Sequence, residues 1–317
     1  MFDGLEEEIR KLNAEDLGIG VQAAAASSHA SSAPDAPHVA SDDPVELEIV
    51  RLAHLFGGVI LSGSPGTSKS YYAAAAAEEL VDGDRERIRF VQFHASYQYE
   101  DFMLGFRPLA GGGFETKAGP FLQLVRAAKD EPSQAYVLVI DELSRADVGR
   151  VFGEALTYVE RSKRELAFTI ANGEQIVVPS NVIVLATMNP FDRGVDEVDA
   201  AFERRFAKIS MDPDRQLLKQ ILIDAEMQES LQTRVLAWFN RINALAAKNP
   251  GAAVGHAYFV GATDEAALRD VWDYQLKYLV QRAFRRDEPN LEALTSMWDN
   301  IFTPPAPPTD PDPAPEP

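Results

Sequence analysis

Eight residues constrain this chain more than any others: Gly63-Ser64-Pro65-Gly66-Thr67-Ser68-Lys69-Ser70, set between an apolar run ending at Leu61 and an Ala-rich segment that reads as a helix from Ser70. Strand, glycine-containing turn and helix follow in the order that lets successive backbone amides curl towards an anion. The spacing is that of a phosphate-binding loop, with Ser68 where glycine is usual. In that reading Gly63, Ser64, Pro65, Gly66, Thr67, Ser68, Lys69, Ser70 and Tyr71 hold the nucleotide. Lys69 reaches the β and γ phosphates and the Ser70 hydroxyl ligates Mg²⁺. The competing reading is a plain Ser/Gly/Pro turn between a strand and a helix.

The surrounding pattern alternates. Apolar runs at Val59–Leu61, Ile88–Phe93, Tyr136–Ile140 and Val182–Thr187 are separated by helical stretches from Ser70, around Phe121–Ala128 and over Val148–Glu160, and a short strand follows at Lys208–Met211. Continuous Val/Ile/Leu runs between amphipathic helices predict an α/β fold with a five-stranded parallel sheet covered on both faces. From about Pro213 to Ile301 helical periodicity takes over, with Trp238, Phe239, Ile242 and Leu245 on one stripe, which predicts a C-terminal α-helical lid. Asn172-Gly173 between Leu166–Ile170 and Gln175–Val178 predicts a tight hairpin, since both residues of that pair accept positive φ. A looser hairpin is expected over 106–119, around Gly111–Gly113.

Three strand ends carry polar groups. Tyr136–Ile140 runs into Asp141-Glu142, and two carboxylates at the tip of a buried strand are costly without a cation. Asp141 would hold the Mg²⁺ and Glu142 would orient and deprotonate an attacking water; the alternative is an acidic pair that merely starts a helix. Asn189, after the Val182–Thr187 strand, is a candidate to position the water or contact the γ phosphate, or else a turn residue. Arg204 and Arg205, between Phe202 and Phe206, could stabilise transition-state charge, in a ring from the neighbouring subunit; solvated arginines at a helix end are the other reading.

Composition removes other classes. The chain has no cysteine, and its histidines at 29, 38, 54, 94 and 256 lack close ligand spacing, so no transition-metal site is expected. No apolar run is long enough to cross a bilayer and Met1–Arg10 is acidic, so a cytoplasmic protein with no membrane association is expected. The ends supply −10 of the net charge of −19 and the body −9, which disfavours direct DNA binding. Residues 1–43, a short helix over Phe2–Leu17 followed by an Ala/Ser/Pro/Asp linker, and the Pro-rich residues 303–317 are expected to be outside the folded body. That leaves a nucleotide-binding α/β domain over 44–212 and the lid over 213–302.

Taken together these residues resemble the McrB and MoxR branch of the AAA+ proteins, from about residue 44 to 302. The resemblance is carried by Val91-Gln92-Phe93-His94-Ala95-Ser96-Tyr97 with Tyr99-Glu100-Asp101-Phe102 and Gly105-Phe106-Arg107-Pro108. Ile140-Asp141-Glu142-Leu143-Ser144-Arg145-Ala146 with Val151-Phe152-Gly153-Glu154 looks like the Walker B strand and helix. Met188-Asn189-Pro190-Phe191-Asp192-Arg193 is similar to the family's sensor signature, with Pro190-Phe191 in place of the commoner Thr-Ala. Gly255-His256-Ala257-Tyr258-Phe259 and Val271-Trp272-Asp273-Tyr274-Gln275 look like the lid. The resemblance implies an AAA+ P-loop NTPase, a hexameric ring, Arg204 and Arg205 as fingers, and a McrC-like nuclease or MoxR-type client as partner. MoxR-like loops also carry serine or alanine where Ser68 stands, which leaves Lys69 competent. ATP is expected from the wider family and GTP from the McrB branch. Only some 43 low-complexity residues precede the motor here, so recognition of methylated DNA is not implied. A nucleotide-gated assembly scaffold with little hydrolysis is the alternative function.

Overall fold

The computed structural model describes residues 39–40, 42–109, 112–191 and 200–303, without the side chains of residues 200 and 201. Of the segments expected outside the body, 1–43 and 303–317, residues 1–38, 41 and 304–317 lie outside the described residues, as does Asp192-Arg193 of the sensor string.

Helix α1, Pro44–Phe56, starts where Asp43 accepts hydrogen bonds from the amides of Val45 and Glu46, and it ends at Gly57 in the left-handed region (φ 75°). It leads into β1, Gly58–Ser62, every residue of which is buried. After the loop come α2, Lys69–Leu80, and β2, Ile88–Gln92. The hairpin expected over 106–119 is β3, Leu104–Pro108, antiparallel to β4, Phe114–Ala118. Then follow α3, Pro120–Asp130, and β5, Tyr136–Asp141.

The helix expected over Val148–Glu160 is interrupted. It forms as α4, Val148–Phe152, and a separate turn, Ala155–Tyr158, because Gly153 sits at φ 51° with the Tyr99 ring 2.8 Å from where its Cβ would stand. The hairpin at 166–178 is present as β6, Ala167–Thr169, and β7, Gln175–Val177. In its turn only Gly173 has positive φ (86°), Gly173 N–H donates to Ile170 O, and Ile170 N–H donates to Glu174 O. That is a turn closed by a left-handed glycine bulge, which needs one left-handed residue instead of two. Strand β8, Val182–Met188, and β9, Ala207–Ser210, complete the main sheet.

The five strands lie in the order β2-β5-β8-β1-β9, all parallel. Alternation assigns each residue to a face. Val59, Leu61, Val137, Val139, Ile183 and Leu185 pack with α1 and α2, while Ile60, Leu138, Ile140, Val184 and Ala186 pack with α3 and α4. Both faces of the three central strands β1, β5 and β8 are covered, so those strands read as unbroken apolar runs. The C-terminal tips Ser62, Gln92, Asp141 and Met188 share one edge.

At the opposite edge the buried guanidinium of Arg164 donates to the carbonyls of Gly57 (2.8 Å), Val159 (3.1 Å) and Val182. Burial pushes its pKa down to about 10.

Helices α5, Arg215–Asp224, α6, Glu229–Ala246, α7, Glu265–Val271, α8, Lys277–Ala283, and α9, Glu288–Asp299, form the C-terminal helical layer. Its core holds Trp238, Trp272 and Trp298, with Trp238 and Trp298 edge to face at 4.8 Å. Trp238, Phe239 and Ile242 of the expected stripe are buried in it, and Leu245 packs at its margin. Each fully buried side chain of this size contributes roughly 1.5–3 kcal/mol.

Candidate functional site

The loop after β1 turns on glycines that nothing larger could replace. At Gly63 a Cβ would stand 2.1 Å from the carbonyl oxygen of Met211. Thr67 Oγ1 donates to Ser64 O at 2.9 Å and the Lys69 ammonium donates to the same carbonyl at 2.7 Å, which holds the turn closed. Ser68 takes a left-handed conformation (φ 60°), the geometry that explains why glycine is usual there. Helix α2 begins at the next residue, so its free N–H groups face the same space.

Strand β8 lies between β1 and β5, so the loop must reach across roughly 10 Å of sheet to meet the tip of β5. The first turn of α2 does this. Ser70 Oγ donates to Asp141 Oδ1 at 2.7 Å, and Thr187 Oγ1, from the intervening β8, donates to the same oxygen at 2.6 Å. Glu142 leaves the strand in a left-handed conformation (φ 56°), its N–H donates to Thr187 Oγ1 at 3.2 Å, and its carboxylate accepts from Arg145 Nε at 3.0 Å.

Above these groups lies a cleft of about 410 Å³. Pro65, Gly66, Thr67, Ser68, Lys69, Ser70 and Tyr71 line it from the loop side; Glu142, Arg145, Thr187, Met188 and Asn189 line it from the strand tips, and Ala257 closes it from the helical layer. Asn189 is nearly buried, and its Oδ1 accepts the Phe191 N–H at 3.1 Å. Gly63, Ser64 and Asp141 are not in the lining; they support the residues that are.

Residues 58–206 match the family model described as AAA domain (dynein-related subfamily). The chain is 34% identical, over 227 residues, to the type IV methyl-directed restriction enzyme EcoKMcrB subunit of Escherichia coli (strain K12), a match covering 67% of this chain and 49% of that protein. Residues 58–206 are thus matched as an AAA domain, in a chain whose sequence is McrB-like. The type II restriction enzyme BsuMI component YdiS of Bacillus subtilis (strain 168) is 28% identical over 189 residues, 47% of this chain and 55% of that one. The chain thus spans about half the length of the curated relatives it matches.

In this McrB-like chain Arg204 and Arg205 do not reach the cleft. Both precede β9, whose Ala207 pairs with Val59 near the start of β1, so they sit at the sheet edge away from the loop. Arg205 Nε lies 3.7 Å from Glu160 Oε2 with its side chain 7% exposed, whereas Arg204 is 64% exposed at 4.0 Å from the same carboxylate.

The helical layer docks straight onto the loop. Ala257 N–H donates to Gly66 O at 2.9 Å. A Cβ on Gly66 (φ 74°) would meet the Tyr258 ring at 2.8 Å, and one on Gly255 would stand 2.0 Å from the Gly66 carbonyl. Between them the buried His256 lies with Nε2 2.9 Å from Ser68 Oγ and with Nδ1 accepting Asp214 N–H at 3.2 Å. Burial pushes its pKa below the ordinary imidazole value, opposed by the Asp214 carboxylate.

Sequence reasoning assigned no role to Thr187, Arg145 or His256. Thr187 had a signal, a hydroxyl at the end of an apolar run beside the strand that ends in Asp141. Arg145 stood in a quoted string only as part of a pattern. His256 likewise stood only in a string that resembles the lid, 188 residues from its partner.

Proposed function

We propose that this cleft binds a magnesium-complexed nucleoside triphosphate and hydrolyses it, with residues 44–212 as the nucleotide-binding part and 213–302 as the lid. The carrying observation is the 2.7 Å bond between Ser70 Oγ and Asp141 Oδ1, beside Lys69 and Glu142 in one cleft. A hydroxyl and a carboxylate oxygen are the donor set that suits Mg²⁺, which takes a few protein oxygens and leaves its other positions to phosphate and water. Among the described residues no group of three or more His, Cys, Asp or Glu could form an all-protein cage. When bound, the ion would supply positive charge that offsets the negative charge of the phosphates.

The chain's own residues do the rest. Lys69, released from Ser64 O, places its ammonium on the terminal phosphates, and the loop amides from Gly63 to Tyr71 hold the remainder. Ser70 and Asp141 hold the ion's shell. Glu142, released from Arg145, orients a water and takes its proton, while Asn189 fixes that water or the γ phosphate. Arg204 and Arg205 face the wrong end of the sheet for their own cleft, which supports their acting as fingers in a neighbouring cleft of a hexameric ring. The likeness to restriction subunits supports a motor for a McrC-like nuclease, with a MoxR-type client as the other partner class, acting in the cytoplasm. ATP is the expected substrate, with GTP to be compared. No described helix is long and apolar enough to cross a membrane.

The Glu142–Arg145 pair favours a second reading, an assembly scaffold that binds triphosphate and seldom hydrolyses it. Phosphate release from ATP and GTP, with and without the partner protein, decides. In the motor Glu142→Gln abolishes turnover and keeps nucleotide-dependent assembly. Unchanged slow turnover in that variant leaves the scaffold.

A further inference from the structure

Ser68 occupies a left-handed position that costs a serine conformational energy a glycine would not bear, so its hydroxyl should have a task. Ser68 lines the cleft, and the described partner of its hydroxyl is His256, carried by the helical layer.

The tautomer of His256 follows from geometry. Its Nδ1 faces the backbone N–H of Asp214 at 3.2 Å, and an N–H can only donate, so Nδ1 presents a lone pair. The ring's proton is then on Nε2, 2.9 Å from Ser68 Oγ, and His256 is the donor in that contact. With a lone pair of Oγ taken, the hydroxyl hydrogen of Ser68 is turned away from the imidazole. We propose that His256 is a positioning residue that fixes the Ser68 hydroxyl as a hydrogen-bond donor into the cleft, giving the polyphosphate a donor that depends on the helical layer being docked. The inference rests on the nucleotide reading of the cleft.

Two substitutions at 256 separate this role from mere packing. His256→Asn retains an acceptor for Asp214 N–H and loses reach to Ser68. His256→Gln can place an amide N–H near the former Nε2. Ser68→Ala removes the hydroxyl and keeps the cost of a left-handed non-glycine residue.

The experiment is titration of the full chain with MgATP, and with MgGTP in parallel, alongside thermal midpoints for each variant. A hydrogen bond to a charged group implies about ten-fold weaker binding for His256→Asn and for Ser68→Ala. The double variant should be no weaker than either single one, because both remove the same bond. His256→Gln should recover most of the affinity. Additive losses, a Gln variant as deficient as Asn, or wild-type affinity in Ser68→Ala would overturn the proposal while leaving the nucleotide site intact. If His256→Asn fails to fold, Ser68→Ala against wild type still decides. Failure of the wild-type chain to bind either triphosphate, or full affinity in Lys69→Ala, would sink the nucleotide reading and this inference with it.

Discussion

The carbonyl of Gly66 and the N–H of Ala257 are joined at 2.9 Å, so the loop after β1 and the short turn His256–Phe259 of the C-terminal layer form one seam. The seam is made largely of backbone, with glycine on each side where a side chain would stand, and such a contact tolerates little adjustment.

Gly255→Ala should therefore destabilise the chain. A methyl group 2.0 Å from the Gly66 carbonyl must push the two parts apart, at a cost of about 1–3 kcal/mol, read from denaturant unfolding at fixed protein concentration. Wild-type stability would show that the seam opens without cost.

Thr187→Val tests the link between strand tips. The substitution preserves shape but takes from Asp141 its 2.6 Å donor and from the Glu142 amide its acceptor. Removing such a support behind a metal ligand typically costs roughly 10–100-fold in metal affinity, so the Mg²⁺ concentration for half-maximal turnover should rise accordingly. An unchanged magnesium dependence would place the ion elsewhere.

His256 makes a pH-dependent contribution whose sign is fixed by its lowered pKa. The unfolded chain takes up that proton near pH 6.5, where the folded chain still holds a neutral ring, so acidification favours unfolding. The contribution is complete above that value and is lost as pH falls below it. Wild type should lose more stability than His256→Asn between about pH 7.5 and about pH 5, measured as a difference of unfolding free energies. Parallel curves would contradict the assignment.

The two arginines before β9 should separate. Arg204→Ala, at a side chain 64% exposed, should leave stability within about 0.5 kcal/mol, yet cut turnover of the assembled protein by roughly 10³-fold. Arg205→Ala should also destabilise the fold, since its side chain is nearly buried against Glu160. Mixing Arg204→Ala with Glu142→Gln subunits should restore activity only if the arginine serves a neighbouring cleft.

The three central strands of the main sheet were legible because β1, β5 and β8 are buried on both faces and admit no polar interruption until their tips. That Lys69, Ser70 and Glu142 meet at one cleft, with Asp141 bonded beneath, was legible for a related reason: polar groups close to the end of an apolar run stand out. The break at Gly153 was not, because it answers to the Tyr99 ring, 54 residues away in sequence. The hairpin was legible but its turn type was not, since Asn-Gly suits more than one turn and the strand register chooses. The Ser68–His256 contact joins two segments that become neighbours only when the helical layer folds back.

At the other sheet edge, a single guanidinium gathers main-chain carbonyls from the end of α1, from the segment before β6 and from the start of β8. None of these segments can loosen alone without stranding that charge, so they should open together, as one cooperative unit, and amides around Gly57 and Val182 should exchange with solvent at a common slow rate.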